Sequence, residues 1–466
     1  MARTGKDLTR GKIPGLVALL ALPVFGSFVV QSVFTVVDLY FVGRLGAAPV
    51  AGMGIALNTF FLILALANAV GPGALAAISQ AYGAKERDQV RVIFQQALWL
   101  TLGLGVAAGL VFRWYADSFV GLFTADAEVR RQGTAYFNVY AAMFGVQVLS
   151  FVLMACWRAI GEFIIPMALF VAIFSLNLLL DPILIFGWGP VPALGVAGAA
   201  WATVIAHGVV DVVNLGLMAG RGSVLAPRPP LRLDWRLQAR LLKVGLPSAL
   251  QYLLFGAGIM LVFRAVKPFG GDATAGVTIG LRVVFAAVYP ATAVAVAVAS
   301  LVGQNHGGRA HDRARASVSW GLIYAALLLC AEYALLWAWP GFWAGLFTRT
   351  PAVAAVAADM LLITGLTMPC NGMSFVATGA AQGLGRTLYP LAGQAVRTAV
   401  LVLGIVLSVR LFPEWVNGLL WAQSASIATE ALLMLGLLAL LWRKLMREAG
   451  RADAPAPWPA PPAREA

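Results

Sequence analysis

Apolar residues along this chain gather into long runs, and polar residues gather between them. About twelve runs reach the roughly 20 residues needed to cross a hydrocarbon core as a helix. The predicted spans are 15–42, 50–79, 93–113, 134–157, 164–187 and 195–218, then 243–266, 275–303, 318–340, 353–380, 390–411 and 416–442. A few polar groups interrupt this pattern. In "SLNLLLDPILIF", Ser175 to Phe186, Asn177 and Asp181 stand one helical turn apart, on one face, and Pro182 follows at once.

Composition fixes the solvent. The chain is 61% hydrophobic and 11% charged, with a mean hydropathy of +0.84, whereas soluble domains carry about 25% charged residues. So little polar surface cannot cover so apolar a core in water, so the reading is an all-α polytopic membrane protein whose first partner is the lipid bilayer. The net charge of +13 does not point to nucleic acid, because the basic residues lie between apolar runs without a basic helix or interleaved aromatics. Cys156, Cys330 and Cys370 fall in apolar runs without metal-ligand spacing and read as small buried residues. The opening "MARTGKDLTRGK" leads into a first membrane helix rather than a cleavable signal, and the Pro/Ala-rich tail from Arg451 is predicted to be disordered.

Lys and Arg set the orientation. Lys85, Arg87, Arg91, Arg158, Arg236, Arg240, Lys243, Arg309, Arg313 and Arg315 fall on the side of the two termini, with few basic residues opposite. By the positive-inside rule both termini are cytoplasmic, in a cell inner membrane.

The chain also repeats itself. Leu22–Pro23 recurs as Leu246–Pro247, an offset of 224 residues, and "SQAYGAKERDQVR" aligns with "GQNHGGRAHDRAR", pairing Gln80 with Gln304 and Asp88 with Asp312. "GLFT" occurs at Gly121–Thr124 and Gly345–Thr348, and Gly161 and Pro166 meet Gly385 and Pro390. After a four-residue deletion, Trp201–Ala202 meets Trp421–Ala422. Chance does not hold one register this long. The reading is two six-helix lobes related by a pseudo-twofold axis along the membrane normal: 1–220, a basic linker 221–242, 243–446, and a tail 447–466.

Positions that differ between the halves are the candidates for function. Asp38 pairs with Val262, Asn177 with Leu401, Asp181 with Ile405 and Thr203 with Gln423. Both carboxylates belong to the N-terminal half. A carboxylate at membrane depth costs about 2.5–3.5 kcal/mol on insertion scales, a cost relieved by holding a proton or a cation. The bland alternative is a hydrogen bond that ties helices together. That reading holds for Arg264, Arg282, Glu332, Asp359, Arg397 and Glu430, and for His207 and Asp211, one turn apart, as a local pair.

"LPVFGSFVVQSVFTVVDLYFVGRLG", "SQAYGAKERDQVR" and "NLLLDPILIFGWGPVPALGVAGAAWATVIA" resemble the multidrug and toxic compound extrusion (MATE) family over about residues 10–445, most of all its prokaryotic branch related to DNA-damage-inducible protein F. The resemblance implies a monomeric antiporter in which imported H⁺ or Na⁺ drives export of small amphiphilic organic cations. It implies a coupling site at Asp38, Asn177, Asp181 and Thr203 with Tyr140 beside it, four of which would also hold Na⁺, and a first helix that bends at Pro23. The sodium-coupled branch has C-lobe acids, whereas here the seventh helix has none in "LPSALQYLLFGAG" and the tenth has Asn371. The ligand set suits a monovalent ion or a shared proton equally. No cofactor is implied beyond the coupling ion. A flippase of a lipid-linked saccharide is the other transport reading and depends on Arg264 and Arg282 lining the cavity. No zinc motif, nucleophile triad or phosphate loop supports an enzyme.

Overall fold

A computed structural model of the chain describes residues 5–46, 49–51, 53, 60–142, 144–220, 222–227, 233–412 and 414–449. Gly52 (whose Ala51–Gly52 dipeptide recurs at Ala275–Gly276), Arg221, Arg228 and Arg232 of the linker, and the tail beyond 449 lie outside them. Among the described residues the protein is helical apart from turns and one isolated bridge, Trp188 to Val191.

The helices of the first half are α1 (Ile13–Gly43), α2 (Phe60–Gly83), α3 (Arg87–Trp114), α4 (Ala116–Gly121), α5 (Ala127–Ala142), α6 (Phe144–Ala159), α7 (Ile164–Phe186) and α8 (Val196–Ala219). The second half holds α9 (Trp235–Val266), α10 (Gly271–Ala287), α11 (Tyr289–Gly307), α12 (His311–Ala338), α13 (Pro340–Gly345), α14 (Pro351–Gly365), α15 (Met368–Gly383), α16 (Leu388–Leu411) and α17 (Asn417–Ala449). Nine of these elements are long and apolar enough to cross a membrane singly. Three broken pairs, α5–α6, α10–α11 and α14–α15, bent by 49°, 40° and 54°, bring the number of spans among the described residues to twelve. The helix predicted from 243 begins earlier, at Trp235, because Asp234 caps it: one carboxylate oxygen accepts from the backbone N–H groups of Arg236 and Leu237.

The repeat extends to backbone conformation. Lys85 and Arg309 are the described non-glycine residues with positive φ, at +65° and +56°, and they are repeat equivalents. Gly161 and Gly385, also equivalents, sit at +84° and +68°. At each of these four points the residue after the turn donates its N–H back five positions: Glu86 to Ala81, Ala310 to Asn305, Glu162 to Trp157 and Arg386 to Ala381. One helix-terminating geometry is thus used twice in each half.

By contacts the chain falls into two units. The first takes Gly26–Ala249, the second Leu8–Phe25 and the chain from Leu250. Two changes of unit occur inside a helix, three residues past the repeated proline, Pro23 in α1 and Pro247 in α9.

In the second unit, α15 crosses α11 at close range. A Cβ on Gly379 or Gly383 would strike the carbonyl oxygen of Ala295 or Ala299, so two glycines one turn apart let the helices meet on small residues, as membrane helices do in the absence of a hydrophobic driving force. The shared glutamine serves the fold in this unit: Gln304 Oε1 accepts from Leu8 N–H at 2.9 Å, while Asn305 Nδ2 donates to Leu8 O at 3.2 Å. The cysteines divide. Cys156 is buried as expected, but Cys330 is exposed on α12 and Cys370 half-buried. That corrects the expectation, because an apolar run in a membrane helix holds lipid-facing as well as buried positions.

Candidate cation site

The site is built on four helices of the first unit. The α7–α8 hairpin sets its floor. Gly187 ends α7 at φ +82°, and the returning chain donates from Leu194 N–H to Leu184 O and from Gly195 N–H to Ile185 O, at 3.0 and 3.1 Å. Gly198 then lies against the Leu184 carbonyl, where any Cβ would collide. Two helices pressed this tightly bring Thr203 of α8 to Asn177 of α7. With its nitrogen turned to Asp181, Asn177 donates to Asp181 Oδ2 at 3.0 Å, and its oxygen accepts from the Thr203 hydroxyl and backbone N–H, each at 3.2 Å. The hydroxyl also stands 3.1 Å from Ala199 O, one turn back. Pro182, with no N–H, leaves the Leu178 carbonyl without its usual helical donor.

Asp38 comes from the part of α1 that belongs to this unit. Phe34, one turn before it, meets Phe174 of α7 edge to face at 6.2 Å. Asp38 and Asp181 are close enough for their charges to act on one another. Asp181 is 0% exposed, Asn177 1% and Asp38 5%. Among the described residues each carboxylate keeps one oxygen with no hydrogen-bond partner, Asp38 Oδ1 and Asp181 Oδ1. Buried acceptors are nearly always satisfied, so two orphans in one place mark a site built to receive something positive.

Tyr140, on α5, is buried within reach of the Asp38 charge and donates a long 3.4 Å hydrogen bond to Gln147. The structure adds a residue that the sequence reading missed. Tyr136, one turn before Tyr140, stacks on it at 5.5 Å and feels the charge of both Asp38 and Asp181. The i, i+4 spacing of the two tyrosines was the available signal. Pro23 is not part of this constellation; it lies in the portion of α1 that belongs to the second unit.

The equivalent positions of the second unit form an apolar cluster. Val262, Met360 and Leu401, counterparts of Asp38, Tyr136 and Asn177, are buried together, and Ile405, counterpart of Asp181, packs against them. Two carboxylates, an amide and the Tyr136 phenol in one unit are matched by apolar side chains in the other, while Thr203 meets Gln423 and Tyr140 meets Thr364. The first set can hold a proton or one monovalent cation. Among the described residues no group of three or more His, Cys, Asp or Glu side chains could hold a metal.

Several other membrane-level polar groups find local partners. His207 and Asp211 are joined through a third residue, Ser150, whose Oγ lies 2.9 Å from His207 Nδ1 and 2.9 and 2.8 Å from the two Asp211 oxygens. Arg397 pairs with Glu430 at 2.9 Å, and Asn417 donates to Asp359 at 2.8 Å. Among the described residues Glu332 keeps one oxygen without a partner. Arg264 and Arg282 are exposed.

Comparison with known proteins agrees with this architecture. The MatE family model matches residues 23–183 and 247–409, one match in each half. The chain is 26% identical over 374 residues to the probable multidrug resistance protein NorM of Thermotoga maritima, covering 80% of each chain. It is 25% identical over 439 residues to the probable multidrug resistance protein YoeA of Bacillus subtilis, covering 92% of this chain and 94% of that one. Among solved structures, an outward-facing multidrug resistance MATE transporter of the MOP superfamily superposes with a TM-score of 0.88 at 23% identity, covering 96% of this chain and all of that one.

Proposed function

The chain belongs to the MatE family of membrane transporters, and on that premise we propose that it is an antiporter in which H⁺, or alternatively Na⁺, enters at Asp38 and Asp181 and drives export of lipophilic organic cations. The observation that carries this reading is the pair of partnerless carboxylate oxygens, buried in one unit while the repeat places an apolar cluster in the other. A fold-only scaffold would have been duplicated; an asymmetric charge has to have a use.

Coupling follows from competition for one negative field. Ionised, Asp38 and Asp181 attract an organic cation. Neutralised by H⁺ or Na⁺, they release it, and by linkage each ligand weakens the other by the same factor. Asn177 serves as the positioning residue: its amide nitrogen holds Asp181 Oδ2, which leaves Oδ1 as the open acceptor. Pro23 would serve as a hinge at which α1 bends when Asp38 is neutralised, since the helix changes unit three residues further on. In this reading the protein is a monomer of the cell inner membrane with both termini cytoplasmic, and it takes cationic amphiphiles; the names of its relatives, probable multidrug resistance proteins, support export of drugs.

The test is dye or drug efflux from vesicles under an imposed ΔpH, and separately under an imposed Na⁺ gradient. One gradient should drive export, and Asp38→Asn and Asp181→Asn should each abolish it at unchanged expression. Wild-type efflux by Asp38→Asn would remove the first unit as the coupling site.

A further inference from the structure

In the second unit, α12 and α17 both pack on α15 and leave a groove between them, about 650 Å³ in volume, at the end where α12 begins and α17 finishes. Its lining has two zones. Leu322 and Leu438 belong to an apolar wall along the helices, and Arg315, Arg443 and Arg447 stand at the groove's outer end. Helical spacing accounts for both zones: Arg315 and Leu322 are seven residues apart on α12, and Arg443 and Arg447 four apart on α17, so each helix turns one face to the groove.

Three features make this more than a basic surface. First, all three arginines are exposed, and among the described residues none makes an ion pair, although Lys444 next to them reaches Glu448 at 4.0 Å. Three unneutralised guanidinium groups lining one groove repel one another until an anion joins them. Second, Trp442 lines the same groove, is 8% exposed, and has an indole N–H with no acceptor among the described residues. Leaving a buried donor unpaired is costly enough that native proteins rarely do so. Third, the basic end runs directly into an apolar wall on membrane-spanning helices, which a free anion would not use.

We propose that this groove is a binding site for an anionic phospholipid, with headgroup phosphate oxygens accepting from Arg315, Arg443, Arg447 and the Trp442 N–H, and an acyl chain lying along Leu322 and Leu438. Arginine matches phosphate in charge and fork geometry, and basic pockets between membrane helices are the expected form of an anionic-lipid site. The site is remote in sequence from the carboxylates of the first unit, and it stands or falls independently of drug export.

Native mass spectrometry of the full-length protein released from detergent, titrated with phosphatidylglycerol, phosphatidylcholine or glycerol phosphate, tests it. Wild type should retain phosphatidylglycerol in preference to phosphatidylcholine. Arg443→Gln/Arg447→Gln should weaken retention of phosphatidylglycerol about ten-fold or more, at roughly five-fold per arginine, and leave phosphatidylcholine unchanged. Arg315→Gln, a single change on the other helix, should cost about five-fold and serves if the double variant folds poorly. Trp442→Phe, which keeps the ring and removes the donor, should also lower retention. Equal retention by wild type and variants, or no preference for the anionic lipid, overturns the proposal. Displacement of the lipid by glycerol phosphate at matched concentration would assign the groove to a soluble phosphate and overturn it equally.

Discussion

Asn177 is the smallest lever on the cation site. Its amide satisfies Asp181 Oδ2 and takes up the Thr203 hydroxyl, so one side chain settles both which carboxylate oxygen is open and where the hydroxyl points. Asn177→Leu keeps the volume and removes both functions, leaving a second Asp181 oxygen unsatisfied at a cost of about 1–3 kcal/mol. Thermal unfolding should register that loss, and vesicle efflux should fall at least about ten-fold. Asp38→Asn has a different signature. Substrate affinity of the wild type, read by fluorescence or calorimetry, should fall on acidification or on addition of the coupling ion, because both ligands seek the same ionised carboxylates. The amide variant should bind substrate with an affinity independent of pH. A mutant that still tracks pH as the wild type does would move the coupling group elsewhere, with Asp211 of the Ser150–His207–Asp211 cluster the next to substitute.

At the level of elements, two contacts hold the framework for opposite reasons. Between α7 and α8 the contact is steric: Gly198 admits the Leu184 carbonyl, and Gly198→Leu must push the hairpin open. Overpacking of this kind costs about 1–3 kcal/mol, and here it also carries Thr203 away from Asn177. Stability and coupled efflux should therefore fall together. Between α16 and α17 the contact is ionic. Arg397 and Glu430 are 13% and 5% exposed and 2.9 Å apart, with Arg397 also 5.8 Å from the Phe255 ring centroid. Breaking one side of a buried pair leaves the other charge stranded, at about 3–5 kcal/mol, whereas replacing both with apolar residues is often neutral. Glu430→Gln should lower the melting temperature while the ion dependence of transport stays that of the wild type, and Arg397→Met/Glu430→Leu should recover most of the stability. A change of coupling ion in Glu430→Gln would instead give the second unit a part in coupling.

The whole molecule is a duplicated chain whose first copy carries Asp38 and Asp181 where the second carries Val262 and Ile405. Reintroducing charge at the silent copy tests how far the apolar cluster has committed to its present role. Val262→Asp would set one carboxylate beside Leu281 and Leu401, with Gln423 and Ser426 lining the same small cavity but apolar Ile405 still standing where a second carboxylate would be needed. Insertion scales put the cost near 2.5–3.5 kcal/mol, so yield and melting temperature should drop and no second coupling site should appear. Orientation is tested at the same scale. A cysteine at exposed Leu233, in a background with Cys330 replaced by Ser, should react with an impermeant maleimide only from the cytoplasmic side. Labelling from outside would invert the topology and with it the direction of exchange.

Hydropathy alone determined that the chain crosses a membrane about twelve times, because in hydrocarbon every backbone polar group must be met within its own helix. The repeat was equally legible, and the structure extends it to a left-handed turn that both Lys85 and Arg309 adopt. Asp38 and Asp181 stood out as charges in apolar runs, with Asn177 one turn from Asp181, and the fold brings Thr203 onto Asn177. Tertiary structure decided what spacing could not. Tyr136 sits on the same face as Tyr140, but only the fold of α5 against α8 shows that this face meets the carboxylates. Ser150 joins His207 to Asp211 from 57 and 61 residues away, a distance that no local periodicity reports. The cysteines mark the same limit: an apolar run reveals that a helix is in the membrane, while which side meets lipid and which meets protein is settled by the neighbours it packs against.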